Sequence, residues 1–424
     1  MSIIYWTDGG RGPILSRMSA PTLPAARPAP IARGTPAYRR VNVALFLAGF
    51  ATFSLLYCVQ PLLPEFAAHF GLTPAASSLA LSLSTGALAL AIVVAGAVSQ
   101  QLSRRGLMFG SMAAAALLNL VAAFAPDWPL LLAARTLEGL ALGGVPAVAM
   151  AYLAEEIDSR HLGGAMGLYV AGTAFGGMMG RVGMGLLVEL GSWRVAMGTI
   201  GALGLLAAFG FAALLPASRQ FAPQRGFVAR RHLDAWRGHL ADGGLRRLYA
   251  VGFLLTSAFV ALFNYVGFRL AAPPYELSPA QIGLVFLAYV LGMFASSAGG
   301  RLAERFGARA PLAGGMALLA LGIAVTLARP LPLVMLGIAL ATVGYFVAHA
   351  VASGWVGRLA AGHKGHASSL YLLAYYLGSS LTGSVGGWFW AHGGWPAEVA
   401  LTGGLALLGA WVAWTMRGRG GAHG

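Results

Sequence analysis

Apolar residues fall in blocks of about twenty, divided by short polar gaps, along nearly the whole chain. A helix needs roughly that many to cross the hydrocarbon core of a bilayer. The blocks predict transmembrane helices at 41–64, 76–101, 106–125, 128–153, 162–188 and 193–215, and again at 247–270, 279–299, 310–328, 331–357, 366–390 and 395–416. The gap from Pro216 to Arg246 is the longest polar stretch after the N-terminal segment, and it separates six spans from six. The expected fold is an all-α membrane protein, twelve transmembrane helices in two pseudo-symmetric six-helix bundles. Residues 41–215 and 247–416 are the expected bundles and 216–246 a cytoplasmic linker. Residues 1–40 and 417–424 read as cytoplasmic tails, the first one disordered, since arginine, proline and alanine there form no continuous apolar core.

The two halves resemble each other at fixed offsets. Leu72-Thr73-Pro74-Ala75 and Leu277-Ser278-Pro279-Ala280 each open the second span of a half, 205 residues apart. Gly96 and Gly300 open matching loops 204 apart, and Gly191-Ser192-Trp193 and Gly393-Gly394-Trp395 open the last spans 202 apart. A near-constant offset over three landmarks is the signature of an internal repeat. Two related six-helix units suit alternating access, in which a midplane site faces each side of the membrane in turn.

Composition supports the membrane reading. Of the 424 residues 58% are hydrophobic and 10% charged, against about 25% charged in a soluble domain, and the mean hydropathy is +0.73. The net charge of +15 does not mark a nucleic-acid binder, because the arginines sit in gaps between apolar runs and form no basic face with interleaved aromatics. It orients the chain instead. With the N-terminus cytoplasmic, twenty-three basic residues fall in inside segments, and only Arg194 and Arg329 fall outside. The positive-inside rule then places both termini in the cytoplasm of a bacterial inner membrane. The first residues are not a secretory signal, and Met18 is an alternative start. The single cysteine, Cys58, allows no internal disulfide, and no Cys/His spacing suggests a metal. No cofactor is expected.

Four segments carry chemistry. The loop Gly300-Arg301-Leu302-Ala303-Glu304-Arg305-Phe306-Gly307-Ala308-Arg309 resembles the G-x-L-A-[D/E]-R-x-G-x-R signature of the major facilitator superfamily. Its first-half partner keeps Gly96, Arg104 and Arg105 but has Gln100 where the family has an acid, so the loop itself lacks the acid of a charge latch. In the fourth span Arg135-Thr136-Leu137-Glu138-Gly139 resembles the family's R-x-x-Q-G pattern, with Glu138 replacing glutamine. Arg135 and Glu138 are three apart and share a helical face, so a structural intrahelical pair is the plain alternative to a functional one. The fifth span, Gly172-Thr173-Ala174-Phe175-Gly176-Gly177 followed by Gly180-Arg181, resembles the antiporter motif G-P-x-x-G-G, with Thr173 in the proline position. Gly172, Gly176 and Gly180 recur every four residues, a spacing that permits close helix packing. Gly378, Thr382 and Gly386 repeat it in the second half.

With the serine- and tyrosine-rich run from Ala367 to Ser380, the chain is similar to the YnfM-type, arabinose-efflux-like branch of the drug:proton antiporter group. The resemblance covers about residues 40–416 and implies a monomer whose partners are a small-molecule substrate, protons and lipid. It further implies that Arg135 tunes a proton site. Glu138 and His349 are the other expected coupling residues, the latter because its reference pKa of about 6.5 lies near physiological pH. Gly96, Arg104, Arg105, Gly300, Glu304, Arg305 and Arg309 are the expected conformational latch. Tyr57, Gln60, Arg181, Asn264, Tyr265, Arg269, Tyr289, Tyr375 and Tyr376 are the expected cavity lining, with packing or interfacial anchoring the plainer alternative for each aromatic.

The leading expectation is proton-coupled efflux of small amphipathic compounds. The first span carries no acid at membrane depth, and Glu65 lies at its outer end, a departure from what such coupling commonly needs. The alternative is a proton symporter that imports a nutrient or organic anion, with Arg181 and Arg269 meeting a carboxylate. A channel or non-transporting receptor is a third reading, without a charged ring to support it. No Walker loop, nucleotide fingerprint or nucleophilic triad points to an enzyme.

Overall fold

The computed structural model describes residues 29–99, 101–221, 229–360, 362 and 364–416. Gln100, the tail before residue 29, and Arg417 and Arg419 lie outside them. Among the described residues nine helices are long and apolar enough to cross a membrane. Three further features bring the spans to twelve. The 52-residue stretch Lys364–Thr415 is about 78 Å long at 1.5 Å per residue, more than twice a bilayer core. Gly394 within it has φ 59° and ψ −152° and Pro396 follows, so the chain kinks there into an eleventh span, 364–393, and a twelfth, 395–415. Leu162–Glu189 has 28 residues and supplies the fifth span, its glycines and Arg181 lowering its hydropathy. Arg309–Val325 is apolar with 17 residues and supplies the ninth, about 26 Å long.

The remaining spans are the first, Pro36–Phe70; second, Pro74–Val98; third, Arg104–Ala123; fourth, Trp128–Glu156; sixth, Trp193–Leu214; seventh, Gly243–Ala271; eighth, Pro279–Phe306; and tenth, Leu331–Leu359. Their starts explain the repeated landmarks. Thr73 and Ser278 cap the second and eighth spans by accepting from the amides of Ala76 and Gln281, with Pro74 and Pro279 in the first turn. A hydroxyl cap followed by proline is a strong helix start, because proline's missing N–H has no intrahelical partner there anyway. Ser192 caps Trp193–Leu214 by accepting from the amide of Val195, here without a proline.

The packing is twofold. The first span lies against the fifth and the seventh against the eleventh; the third lies against the sixth and the ninth against the twelfth; the second lies against the fourth and the eighth against the tenth. The halves meet where the second span packs on the eleventh and the fifth on the eighth. In the seventh span 89% of the apolar window is buried, which marks it as an inner helix. Leu90, Val94, Leu206, Phe209, Phe294 and Trp411 are exposed, an apolar outer surface that suits lipid and not water.

The halves are sealed toward one end. A Cβ on Gly387 would collide with the backbone of Ala75, and one on Gly185 would stand 2.6 Å from the carbonyl oxygen of Pro279. These contacts are counterparts in the repeat, Gly185 and Gly387 being 202 apart and Ala75 and Pro279 204 apart. Ser380 donates to the carbonyl of Ser82 at 2.7 Å, and Ala280 N donates to Glu189 at 3.3 Å.

Two details stand at the margins of the expected units. Ile31 pairs with Ile157 as an isolated β-bridge and the first helix begins at Pro36, so ordered structure reaches back into the segment expected to be a tail. The connector holds the helix Ala229–Ala241, and the seventh span begins at Gly243.

Candidate functional site

The site is built around a break in the first span. Its helix stops at Tyr57, and a single 3-10 turn, Gln60–Leu62, precedes the resumption at Leu63. Pro61 and Pro64 account for the interruption, since neither can donate to the carbonyl four residues back. The last carbonyls of the helix therefore need other donors. Arg135 of the fourth span supplies them: its Nη1 donates to Leu55 O at 3.1 Å and its Nη2 to Leu56 O at 2.7 Å. A guanidinium at a helix C-terminus also meets the negative end of the helix dipole.

Arg135 and Glu138 are both fully buried. Arg135 Nη1 reaches Glu138 Oε2 at 2.5 Å, and its Nε donates to Ala80 O of the second span at 3.2 Å. Ser84 of that span donates back to Arg135 O at 2.8 Å. Gly139 makes this possible, because a Cβ there would collide with the backbone of Ser84. Among the described residues Glu138 Oε1 has no hydrogen-bond partner. One cation thus binds the first, second and fourth spans, and its anion keeps one oxygen unpaired. Cys58, in the break, donates to Leu55 O at 3.2 Å beside the guanidinium.

The other side of the break faces Arg181. Its guanidinium stands 4.0 Å from the centre of the Tyr57 ring, 5.0 Å from Phe286 and 5.1 Å from Tyr289. Its Nε donates to Gln60 Oε1 at 2.6 Å and its Nη1 to Gly177 O at 2.5 Å. Among the described residues no carboxylate pairs with it within 4.0 Å, although it is 2% exposed. Gln60 in turn donates to Asn264 Oδ1 at 2.7 Å. Gln60 and Asn264 are 204 apart, so this bond joins symmetry-related positions of the first and seventh spans.

Beyond Tyr289 lies an aromatic wall belonging to the second half. Phe259 stacks on Tyr345 at 3.7 Å between ring centres, and the hydroxyls of Tyr345 and Tyr375 are hydrogen-bonded. Tyr376 lies edge-on to Tyr375 at 5.0 Å. His349 joins this wall through Tyr371 OH at 3.2 Å and through Tyr375, 4.9 Å away. Among the described residues it shares no hydrogen-bond partner with Arg135 or Glu138, so the three expected coupling residues do not form one cluster.

Two expected lining residues sit elsewhere. Arg269 donates to Thr326 O, to Ala328 O at 2.8 Å and to Tyr275 OH at 3.1 Å, and lies 5.0 Å from the Trp395 ring. It caps the end of the ninth span. Tyr265 is fully buried, donates to Gly383 O at 2.6 Å and stacks near Phe268 and Trp390, so it packs between the seventh and eleventh spans.

The glycine ladder brings helices together. Cβ atoms on Gly172, Gly176 and Gly180 would strike the backbones of Phe46, Phe50 and Ser54, and one on Gly378 would strike Phe253. Thr382 donates to Ser257 at 2.9 Å, and Gly386 faces the ring of Tyr265.

The latch residues behave differently in the two halves. Glu304 and Arg305 are exposed, and Arg309 lies 4.4 Å from the Trp414 ring. No ion pair joins them among the described residues. Gly300 has open space around it, as has Gly96. Arg104 is buried and forked onto Glu155 at 2.7 and 3.3 Å, while Arg105 donates to Ala212 O. The first-half loop therefore finds its acid at the end of the fourth span. Pattern reading omits Glu155, because a partner fifty-one residues away leaves no local spacing. It also omits Glu398, a fully buried acid of the twelfth span, although this is the only charged residue between Trp395 and Thr415.

A family model described as Major Facilitator Superfamily matches residues 45–276 and 254–423. The chain is 46% identical over 381 residues to the inner membrane transport protein YnfM of Escherichia coli (strain K12), covering 89% of this chain and 91% of that one. It is 44% identical over 382 residues to the MFS-type transporter YybF of Bacillus subtilis (strain 168), covering 90% and 94%. A solved bacterial homolog to the human lysosomal transporter Spinster, inward-facing and unoccupied, superposes with a TM-score of 0.77 at 15% identity, over 90% of this chain and 97% of that one.

Proposed function

The chain belongs to the major facilitator superfamily, and from that premise we propose that this multi-pass membrane transporter exports small amphipathic compounds in exchange for protons entering down their gradient. The observation that carries the reading is the break in the first span. Leu55 and Leu56 are held by the Arg135–Glu138 pair, and Tyr57 and Gln60 hold Arg181. Protonation of Glu138 removes the charge that fixes Arg135. The carbonyl contacts of Arg135 then readjust, and the break transmits that shift to the residues around Arg181. Protons arriving from outside displace substrate by this route. His349 acts separately, at the far aromatic wall.

The substrate class follows from the surroundings of Arg181. A cation without a paired carboxylate among the described residues, set among Tyr57, Phe286 and Tyr289, suits a molecule with an aromatic body and an acceptor group, through cation–π and charge-assisted hydrogen bonding. Such a site serves import of an organic anion equally well, which keeps symport as the second reading. Arg269 no longer supports it.

The positive-inside distribution favours cytoplasmic termini and connector, with residues 41–215 and 247–416 as the rocking units. On that orientation the seal at Ala75, Gly387, Gly185 and Pro279 closes the outer end. The protein is read as an inner-membrane monomer. Purified protein in liposomes with an imposed pH gradient tests the proposal: dye efflux must follow the gradient, and uptake of an organic anion with the proton flow assigns symport instead. Arg181→Gln is expected to weaken apparent substrate affinity about tenfold to a hundredfold, the value of one or two charge-assisted hydrogen bonds. Unchanged affinity removes Arg181 from the substrate site.

A further inference from the structure

Glu398 lies one turn into the twelfth span and is fully buried, and among the described residues neither of its carboxyl oxygens has a hydrogen-bond partner. The other buried acids are differently placed. Glu138 has Arg135, and Glu156 Oε1 accepts from Ser218 and from the amides of Arg219 and Gln220 at 2.6–2.8 Å. An ionised carboxylate without a partner in apolar surroundings costs several kcal/mol, and such a group neutralises itself instead.

The surroundings are a built cradle. A Cβ on Gly386 of the eleventh span would stand 3.0 and 3.2 Å from the two carboxyl oxygens and 2.6 Å from the ring of Tyr265 of the seventh. Glycine is what leaves room for the acid at this crossing. The titratable and charged groups on the elements packed around it are occupied elsewhere. Tyr265 OH donates to Gly383 O. Arg269 is held by Thr326 O, Ala328 O and Tyr275. On the eleventh span His392 is exposed and bonded to Trp388 O at 2.8 Å. On the ninth span, Arg309 at the opposite end lies over Trp414.

The neighbour of Gly386 matters most. Gly387 is the residue whose backbone seals against Ala75 of the second span. Two adjacent residues of the eleventh span therefore cover Glu398 on one face and close the seam between the halves on the other.

We propose that Glu398 is a second proton-binding site, which holds a proton while the eleventh span is seated on the second and releases it to water when that seam parts. The proton leaves the carboxyl oxygen for a water molecule entering along the parted helices, and it is regained before the seam closes. The proposal deepens the reading of the protein as proton-coupled, placing a second titrating group in the half opposite Glu138.

The test is infrared difference spectroscopy of the full-length protein in lipid, titrated across neutral pH, with Glu138→Gln and Glu398→Gln compared. A band from a protonated carboxyl in an apolar setting is expected in Glu138→Gln, and its loss is expected when Glu398→Gln is added to Glu138→Gln. Persistence of the band in the double variant overturns the assignment, as does its absence from Glu138→Gln. Glutamine reproduces the shape of the neutral acid, so Glu398→Gln is expected to fold and to bind substrate. Its transport is expected to lose its dependence on the imposed gradient by about tenfold, while Glu398→Asp restores part of it. Gradient dependence unchanged in Glu398→Gln also overturns the proposal. A failure of the functional reading shows differently, as unaltered protein that moves no substrate under any pH gradient.

Discussion

Arg135→Met is expected to be the most damaging single change in the first half, lowering unfolding free energy by about 3–5 kcal/mol and abolishing transport. The magnitude is that of removing one partner from a buried ion pair and leaving the other charge uncompensated. Here the loss is compounded, because the carbonyls of Leu55, Leu56 and Ala80 lose their donor together with Glu138. Denaturation of the purified protein in detergent measures the first effect and liposome flux the second. Glu138→Gln separates stability from coupling: the amide keeps the shape and an acceptor oxygen for Arg135 without the charge, so the protein is expected to remain folded and to lose gradient-driven transport. The double change Arg135→Met with Glu138→Met is expected to recover much of the lost stability, since an apolar pair of similar volume suits the site. An Arg135→Met protein as stable as the unaltered one, or a Glu138→Gln protein that still follows the gradient, contradicts the role given to the pair.

Gly387→Val is expected to act on the equilibrium between the two orientations of the halves. The added methyls meet the backbone of Ala75, and overpacking of this kind costs about 1–3 kcal/mol. That cost falls only on the conformation in which the second and eleventh spans are seated, so it shifts the population toward the parted state by about fivefold to a hundredfold or more. Hydrogen exchange is expected to quicken in segments 74–86 and 380–390, and flux is expected to fall while the bundles stay folded. Gly185→Val, its counterpart in the repeat, is expected to reproduce the effect at the fifth and eighth spans. Exchange rates unchanged in both variants would mean that these glycines do not control the seam.

Much of this architecture is legible in the chain because its causes are local. Thr73-Pro74 and Ser278-Pro279 announce helix starts with a hydroxyl and a ring, and the bilayer imposes a length on every run. Arg135 and Glu138 are likewise visible as a face-sharing pair, and the ladder Gly172, Gly176, Gly180 as a surface for another helix. What spacing conceals is the partner. Nothing in the sequence around Arg104 points to Glu155, and nothing around Arg269 shows that its guanidinium closes the end of the ninth span. The role of Arg135 in holding Leu55 and Leu56 is similarly hidden, since it depends on where the first span breaks. Tyr265 and Tyr289 carry the same ring on different helices, yet only packing decides that one lies behind the eleventh span and the other beside Arg181. Glu398 stands in the sequence as a solitary charge in an apolar run, but that its carboxyl oxygens find no hydrogen-bond partner among the described residues emerges only when the helices are assembled.

The position of Cys58 has a practical consequence. It is the chain's single thiol, and its sulfur shares the Leu55 carbonyl with Arg135. An alkylating reagent therefore meets a native reporter at the joint itself, with no engineered background required. Modification that quickens on acidification, and is already fast at neutral pH in Glu138→Gln, would time the loosening of that joint against the movement of substrate.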